Sequence, residues 1–503
     1  MSAKIIKILA FFFNKKGVQH IMKITIYPDN KLHKINKFWT KCVGSCHAAT
    51  ALREDWRNQL KKCRQELGFE YVRFHGWLND DMSVCFRNDE GKLWFSFFNI
   101  DSIIDFLLDI GMKPFIELSF MPEALASGTK TVFHYKGNIT PPKSYEEWGE
   151  LIEELARHLV KRYGKNEVRE WFFEVWNEPN LKDFFWAGTV EEYFELYKSA
   201  AFAIKKVDSE LKVGGPATAI DAWIPELKDF CIKNGVPIDF ISTHQYPTDL
   251  AFSTSSNMEE AMAKANRREL ADRVRKALSE ASPLPLYYTE WNNSPSPRDP
   301  YHDIPYDAAF IVKTIIDIID LPLGCYSYWT FTDIFEECGQ SSLPFHGGFG
   351  LLNIHGIPKP SYRAFQILNK LNGDRIDTEV EDKSPTVDYI AVQNDREIIL
   401  VMSNHNVPLS PINSVSINVT IRGLKGCKEI SVERIDEYNA NPKRKWIEMG
   451  SPEYLNKEQI EKLIEASKPK KEEVSWWITD DNQLTFELNI LPHSVLGVTI
   501  KTE

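Results

Sequence analysis

The chain has 503 residues, 43% of them apolar and 12% aromatic, enough to bury a large core and to exclude intrinsic disorder for the chain as a whole. A formal net charge of -11, with no basic arm or stripe, argues against a nucleic-acid partner. The length exceeds one ordinary domain, although an α/β barrel can take up well over half of it.

Residues 1–21 read as an N-terminal extension. The apolar stretch 5–13 is interrupted by Lys7 and followed by Asn14-Lys15-Lys16 with no small-residue cleavage site. Neither a secretory signal nor a membrane span is expected, since a span needs roughly 20 apolar residues. Met22 offers a second plausible start. Residues 23–27 then alternate apolar and polar as a strand does.

Short β-prone runs recur around 42–44, 71–75, 114–118, 172–176, 211–214, 240–244, 286–289 and 325–329. Between them, 145–163, 190–207 and 304–319 carry apolar residues at i, i+3 and i+4, the last with Pro305 at its start. Such strand–helix alternation over about 300 residues predicts a (β/α)8 TIM barrel, placed at 41–360. A doubly wound open sheet is the competitor. It is disfavoured because no Gly-rich dinucleotide turn follows the first strand.

The polar residues fall where such a barrel keeps its chemistry. His75, Glu117, Glu178, His244, Glu290 and Trp329 all close a predicted strand. Glu178 lies in Trp176-Asn177-Glu178-Pro179, and Pro179 cannot continue a central strand because it lacks the N–H that the ladder needs. Glu290 ends the run after Pro283 and Pro285, ahead of Asn292, Asn293 and Pro295. Two carboxylates facing one cleft are what cleavage of a glycosidic bond requires, one as general acid and the other as nucleophile or base. Glu117 reads as a structural hydrogen-bond partner. Fourteen Trp and eighteen Tyr fit a site where aromatic faces meet the C–H face of a sugar.

After about residue 365 the pattern changes. Runs at 388–394, 397–403, 415–421, 429–435, 484–491 and 495–501 predict an antiparallel β-sandwich over 361–503. Residues 451–471 are polar and helical, a solvated insertion. The junction Pro358-Lys359-Pro360 is short, so the two domains should pack rigidly. The eight cysteines are irregularly spaced, as expected of reduced thiols in a cytoplasmic enzyme. Neither metal nor cofactor is implied.

The motif 176–180 resembles the acid/base segment of the clan A retaining glycosidases. The fuller resemblance, from about residue 22 onward, is to glycoside hydrolase family 39 and its bacterial β-xylosidases. It is carried by Val72-Arg73-Phe74-His75-Gly76, by 114–122, 125–129 and 137–142, by Tyr328-Trp329-Thr330-Phe331-Thr332-Asp333-Ile334-Phe335-Glu336-Glu337, and by 345–350. The resemblance implies Glu178 as acid/base at the end of the fourth barrel strand and Glu290 as nucleophile at the end of the seventh. It implies that Asn177 binds the sugar 2-OH. His75, His244 and Tyr246 would line the same subsite, Trp329 would form a wall, and Glu336 and Glu337 would reach other hydroxyls. Residues 22–40 would supply a strand to the sandwich.

The implied activity is exo-hydrolysis of xylo-oligosaccharides by double displacement. A related β-glucosidase, α-L-arabinosidase or α-L-iduronidase, or a non-catalytic sugar-binding protein, are the alternatives. Phe331 and Phe335, with Trp329, are expected to fill the space that a C5 hydroxymethyl would occupy. Self-association is possible, but the tail that helps tetrameric family members associate has no counterpart before Glu503.

Overall fold

The computed structural model describes residues 21–502 apart from Lys425 and Asn482; the expected extension lies outside these, save Ile21. Eight parallel strands close into a barrel: Cys42–His47, Tyr71–His75, Lys113–Leu118, Phe172–Val175, Lys212–Thr218, Phe240–Gln245, Leu286–Trp291 and Cys325–Tyr328. The eighth closes on the first through Tyr328 and Val43. The expected helices form over Tyr145–Tyr163, Val190–Val207 and Pro305–Ile318. Ser144 caps the first by accepting from the N–H groups of Glu146 and Glu147, and Thr189 with Glu192 forms a capping box on the second.

Side chains along the strands alternate between the outer helices and the barrel interior, and the interior is layered. At the N-terminal end, Cys42, Tyr71, Phe115, Phe172, Phe240, Cys325 and Tyr287 form an apolar plug. Phe115 and Phe172 stack within it, with ring centroids 4.8 Å apart. Two residues further along the same strands come Arg73, Glu117, Glu174 and Thr289, all fully buried. The plug therefore holds a charged layer out of water. Above it lie His75, His244 and Trp329.

The C-terminal strands make one hydrogen-bonded series of ten, counting Ile21–Lys34 from the start of the chain. That strand lies antiparallel to Asp374–Glu381 and parallel to Val415–Ile421. Met22, Ile24 and Ile26 point to one face and are fully buried, as period two requires. Residues from both ends of the series, such as Val419, Phe486, Leu400 and Val498, meet in one core, so the series is folded over as a sandwich. Lys471–Glu473 and Trp476–Ile478 are the two ends of the series, paired with Glu429–Ile435 and Leu484–Ile490, so a single segment crosses between the two sheets.

Two features depart from expectation. Asp374–Glu381 is a strand whose acidic side chains hide its pattern, with Ile376 alone fully buried. The helix Lys457–Ala466 lies in the expected insertion, but one stripe of it is not solvated. Leu463 is buried against Phe345, Ile357 and Trp446, and Ile460 and Ile464 flank it at helical spacing. The two domains share core: Ile390, Val392, Ile399, Val401 and Val495 pack in the same cluster as the barrel helices. Ser403 Oγ also donates to the Ala309 carbonyl at 2.7 Å.

Candidate active site

Glu178 and Glu290 meet at the C-terminal mouth of the barrel. One oxygen of each, together with a ring nitrogen of His244, lie within 4.8 Å of one another. The local chain explains both placements. Beyond Val175 the backbone turns through left-handed conformations at Trp176 (φ 71°) and Glu178 (φ 41°). Such residues are held by their surroundings. Trp176 is fully buried and donates its indole N–H to the Phe185 carbonyl at 2.8 Å, while the Glu178 N–H donates to Ala217 O at 2.8 Å. In the seventh strand the register with the sixth shifts between Thr243 and His244, opposite Tyr288 and Glu290. This irregularity lets Thr289 and Glu290 both reach the interior, where strict alternation would send one outward.

The two carboxylates are equally buried and differently partnered. Glu290 Oε1 accepts from Arg73 Nη1 at 2.6 Å, and its Oε2 accepts from the Tyr246 hydroxyl at 3.0 Å. Burial pushes Glu290 upward, and Arg73, His75 and Tyr246 oppose that rise. Glu178 contacts His244 Nδ1 at 3.0 Å, and among the described residues no lysine or arginine lies within salt-bridge distance of it. Burial, then repulsion from Glu290, holds it well above the usual carboxylate range. Burial drives His244 well below its ordinary value, with Arg73 and His75 adding to the shift, so its ring is neutral. One buried pair thus contains a carboxyl group that keeps its proton beside one held by two donors.

Arg73 organises the layer beneath. Its guanidinium also donates to Glu174 Oε2 at 2.8 Å and to Asn177 Oδ1 at 2.7 Å, and lies 2.9 Å from Glu117 Oε2. With Asn177 Oδ1 engaged, its buried Nδ2 is left without a hydrogen-bond partner among the described residues. Glu117 accepts from His75 Nδ1 at 2.6 Å and from the Ser119 hydroxyl. Burial raises Glu117, but His75 and Arg73 outweigh it and hold it below its ordinary value; His75 is raised in return. His75 Nε2 lies 3.7 Å from both Glu290 Oε1 and Glu337 Oε1.

The eighth strand supplies the wall. Trp329 packs 4.9 Å from His75, centroid to centroid, and joins Cys46, Phe335 and Phe349 in one cluster. It fits because position 44 is glycine: a Cβ there would lie 2.5 Å from the Trp329 ring. Phe335 lines this cluster, but Phe331 does not. Phe331 turns to the outer core and packs edge-on against Trp56 at 5.1 Å. The expectation that it fills space beside the sugar is therefore corrected: the strand ends at Tyr328, so the alternation that would put residue 331 on the side of Trp329 no longer applies.

Glu336 and Glu337 likewise diverge. Glu337 is directed to His75, and burial pushes it up to about 8. Glu336 turns to the rim, 3.3 Å from Arg53 and 3.8 Å from His47. Sequence reasoning left out Arg73, Glu174 and Thr289 as site residues, and also Tyr135, which stacks on His47 at 3.9 Å within reach of Glu337's charge. Arg73 lies two residues before His75 on one strand, and that period-two spacing was the available signal.

The model of the glycosyl hydrolases family 39 matches residues 22–483. A β-xylosidase of Caldicellulosiruptor saccharolyticus is 85% identical over 96% of this chain and 99% of its own. A β-xylosidase of Geobacillus stearothermophilus is 37% identical, covering 88% of this chain and 89% of the relative. Among solved structures, a monomeric β-xylosidase from Caulobacter crescentus superposes with a TM-score of 0.80 at 33% identity, over 95% of this chain and 99% of that one.

Proposed function

The chain belongs to glycosyl hydrolase family 39, and from that membership and the buried glutamate pair we propose that it is a retaining, exo-acting β-D-xylosidase. The observation that carries the reading is the asymmetry of the pair: Arg73 and Tyr246 donate to Glu290, while Glu178 has only a neutral imidazole. Glu290 attacks the anomeric carbon, and Glu178 gives its proton to the departing oxygen. The close approach of the two carboxylates suits this double displacement, for which separations of about 5 to 5.5 Å are typical. Once Glu290 is esterified its charge is gone, the repulsion that raises Glu178 relaxes, and Glu178 takes a proton from the incoming water.

Asn177 Nδ2 donates to the 2-OH as the oxocarbenium forms. His75, His244 and Tyr246 line the subsite, Trp329 faces the ring, and Glu337 meets a further hydroxyl. Glu336 shapes the entrance beside Arg53. Residues 41–360 carry the chemistry, and 361–503 with 22–40 buttress it. Among the described residues no helix is long and apolar enough to cross a membrane.

Initial rates on aryl β-xyloside, β-glucoside and α-L-arabinoside test the proposal, with the product anomer read by proton NMR. Trp329 and Phe335 crowd the space of a C5 hydroxymethyl, so kcat/KM should favour the β-xyloside by roughly a hundredfold. β-Xylose should appear first. Equal turnover of the glucoside would overturn the sugar assignment, and α-xylose as first product would overturn the retaining mechanism.

A further inference from the structure

A chain of buried hydrogen bonds leads away from Glu178, and its direction can be worked out donor by donor. Glu178 Oε1 lies 3.0 Å from His244 Nδ1, His244 Nε2 lies 3.0 Å from Thr289 Oγ1, and Thr289 Oγ1 lies 2.8 Å from Glu174 Oε1. Thr289 and Glu174 are fully buried, and His244 is 1% exposed. We propose that Thr289 is a positioning residue: its hydroxyl fixes His244 in the Nε2–H tautomer and so keeps the proton on Glu178 until the leaving group takes it. The inference rests on Glu178 being the acid.

Glu174 accepts from Arg73 Nε through its other oxygen, which marks it as an acceptor. The single hydrogen of Thr289 is therefore spent on Glu174, and towards His244 the hydroxyl can only accept. Nε2 then carries the imidazole hydrogen. The ring is neutral, so Nδ1 presents a lone pair, and the hydrogen in its contact with Glu178 must come from Glu178. The opposite tautomer would point the Nε2 lone pair at Thr289. The hydroxyl would then have to abandon Glu174, leaving a buried acceptor unmade, which is costly where water cannot replace the donor. The groups facing Glu178 and His244 are Arg73 and His75 from the second strand, Tyr246 and Asp249 beyond the sixth, Glu290 from the seventh and Glu337 beyond the eighth. Among the described residues none of them hydrogen-bonds to His244.

A hydrogen bond donated by the acid form of Glu178 favours that form. Thr289→Val removes the acceptor for Nε2–H and frees the ring to donate from Nδ1 to an ionised Glu178, which favours the ionised form. The alkaline limb of kcat/KM on a β-xyloside with a poor leaving group should move down by about one pH unit in Thr289→Val. Thr289→Ser should keep the limb of the parent enzyme. A limb that stays in place or rises in Thr289→Val overturns the proposal, as does an equal shift in Thr289→Ser. The unsubstituted protein supplies a second reading that does not depend on a variant folding. With 15N-labelled histidine, and His244 assigned by the signals lost in His244→Gln, the resting enzyme should show Nε2 protonated and Nδ1 bare; a protonated Nδ1 overturns the proposal. Failure of the acid assignment would appear separately, as a Glu178→Ala variant that loses activity equally on good and poor leaving groups.

Discussion

Two of the clusters of buried charge in this barrel treat their carboxylates in opposite ways. Around Lys359, the ammonium pairs with Asp303 at 2.8 Å and Asp333 at 2.7 Å and donates to the Gly348 carbonyl. Lys443 adds a second cation 3.6 Å from Asp303, and the N–H groups of Gly347 and Gly350 donate to Asp303 and Asp333. Burial raises Asp303, but Lys359 and Lys443 outweigh it, and the group stays below its ordinary value. Around Arg73 one guanidinium serves Glu117, Glu174 and Glu290, with Glu178 and Glu337 close by. There Glu174, Glu178, Glu290 and Glu337 are all raised, burial being the first cause in each. Matched charge makes structure. Where cations run short, the carboxyl group that none of them pairs with, Glu178, is the one held well above the usual carboxylate range, which is the property a general acid needs.

The comparison breaks most visibly at Glu290. Glu290→Ala should lower turnover by roughly 10^4-fold or more, and azide should restore activity with the opposite anomeric product, read by NMR. Glu178→Ala comes next. It should cost about 10^2- to 10^4-fold on xylosides with poor leaving groups and much less on activated aryl xylosides, and it should erase the alkaline limb of the pH profile.

In the matched cluster the loss should appear in stability. Lys359→Met strands two buried aspartates and should cost about 3–5 kcal/mol in denaturant unfolding. Activity per folded molecule should change little. The smallest effect sharpens the contrast. Glu337 has an ordinary value of 4.5 and a folded value of about 8. The folded state binds its proton more tightly, so the contribution is full below about pH 4.5 and is lost as pH rises through about 8. Glu337→Gln should flatten that decline, a change of a few kcal/mol at most in unfolding free energy measured across this range.

Much of this architecture is legible in the chain. The barrel strands could be placed because each is a short apolar run, several of them ending in a polar residue, and the helices over Tyr145–Tyr163 and Val190–Val207 because their apolar stripes are regular. Glu178 and Glu290 stood out because proline and asparagine mark the turns that follow them. Arg73 did not, because a cation in a strand reads as a surface residue until the barrel closes around it. Thr289 was hidden for a different reason: the register shift that turns it inward has no local signature. The opposite fates of Glu336 and Glu337, and of Phe331 and Phe335, depend on a loop path that no periodicity sets.

The strand Ile21–Lys34 is made first, yet its partners Asp374–Glu381 and Val415–Ile421 lie more than two-thirds of the way along the chain. At about 5–20 residues per second, the apolar face of Met22, Ile24 and Ile26 waits roughly 20 to 70 s on the ribosome before it can be covered. The barrel can assemble during that wait, but the sandwich cannot. Among the described strands, Ile21–Lys34 therefore exposes its apolar face longest before its partners exist.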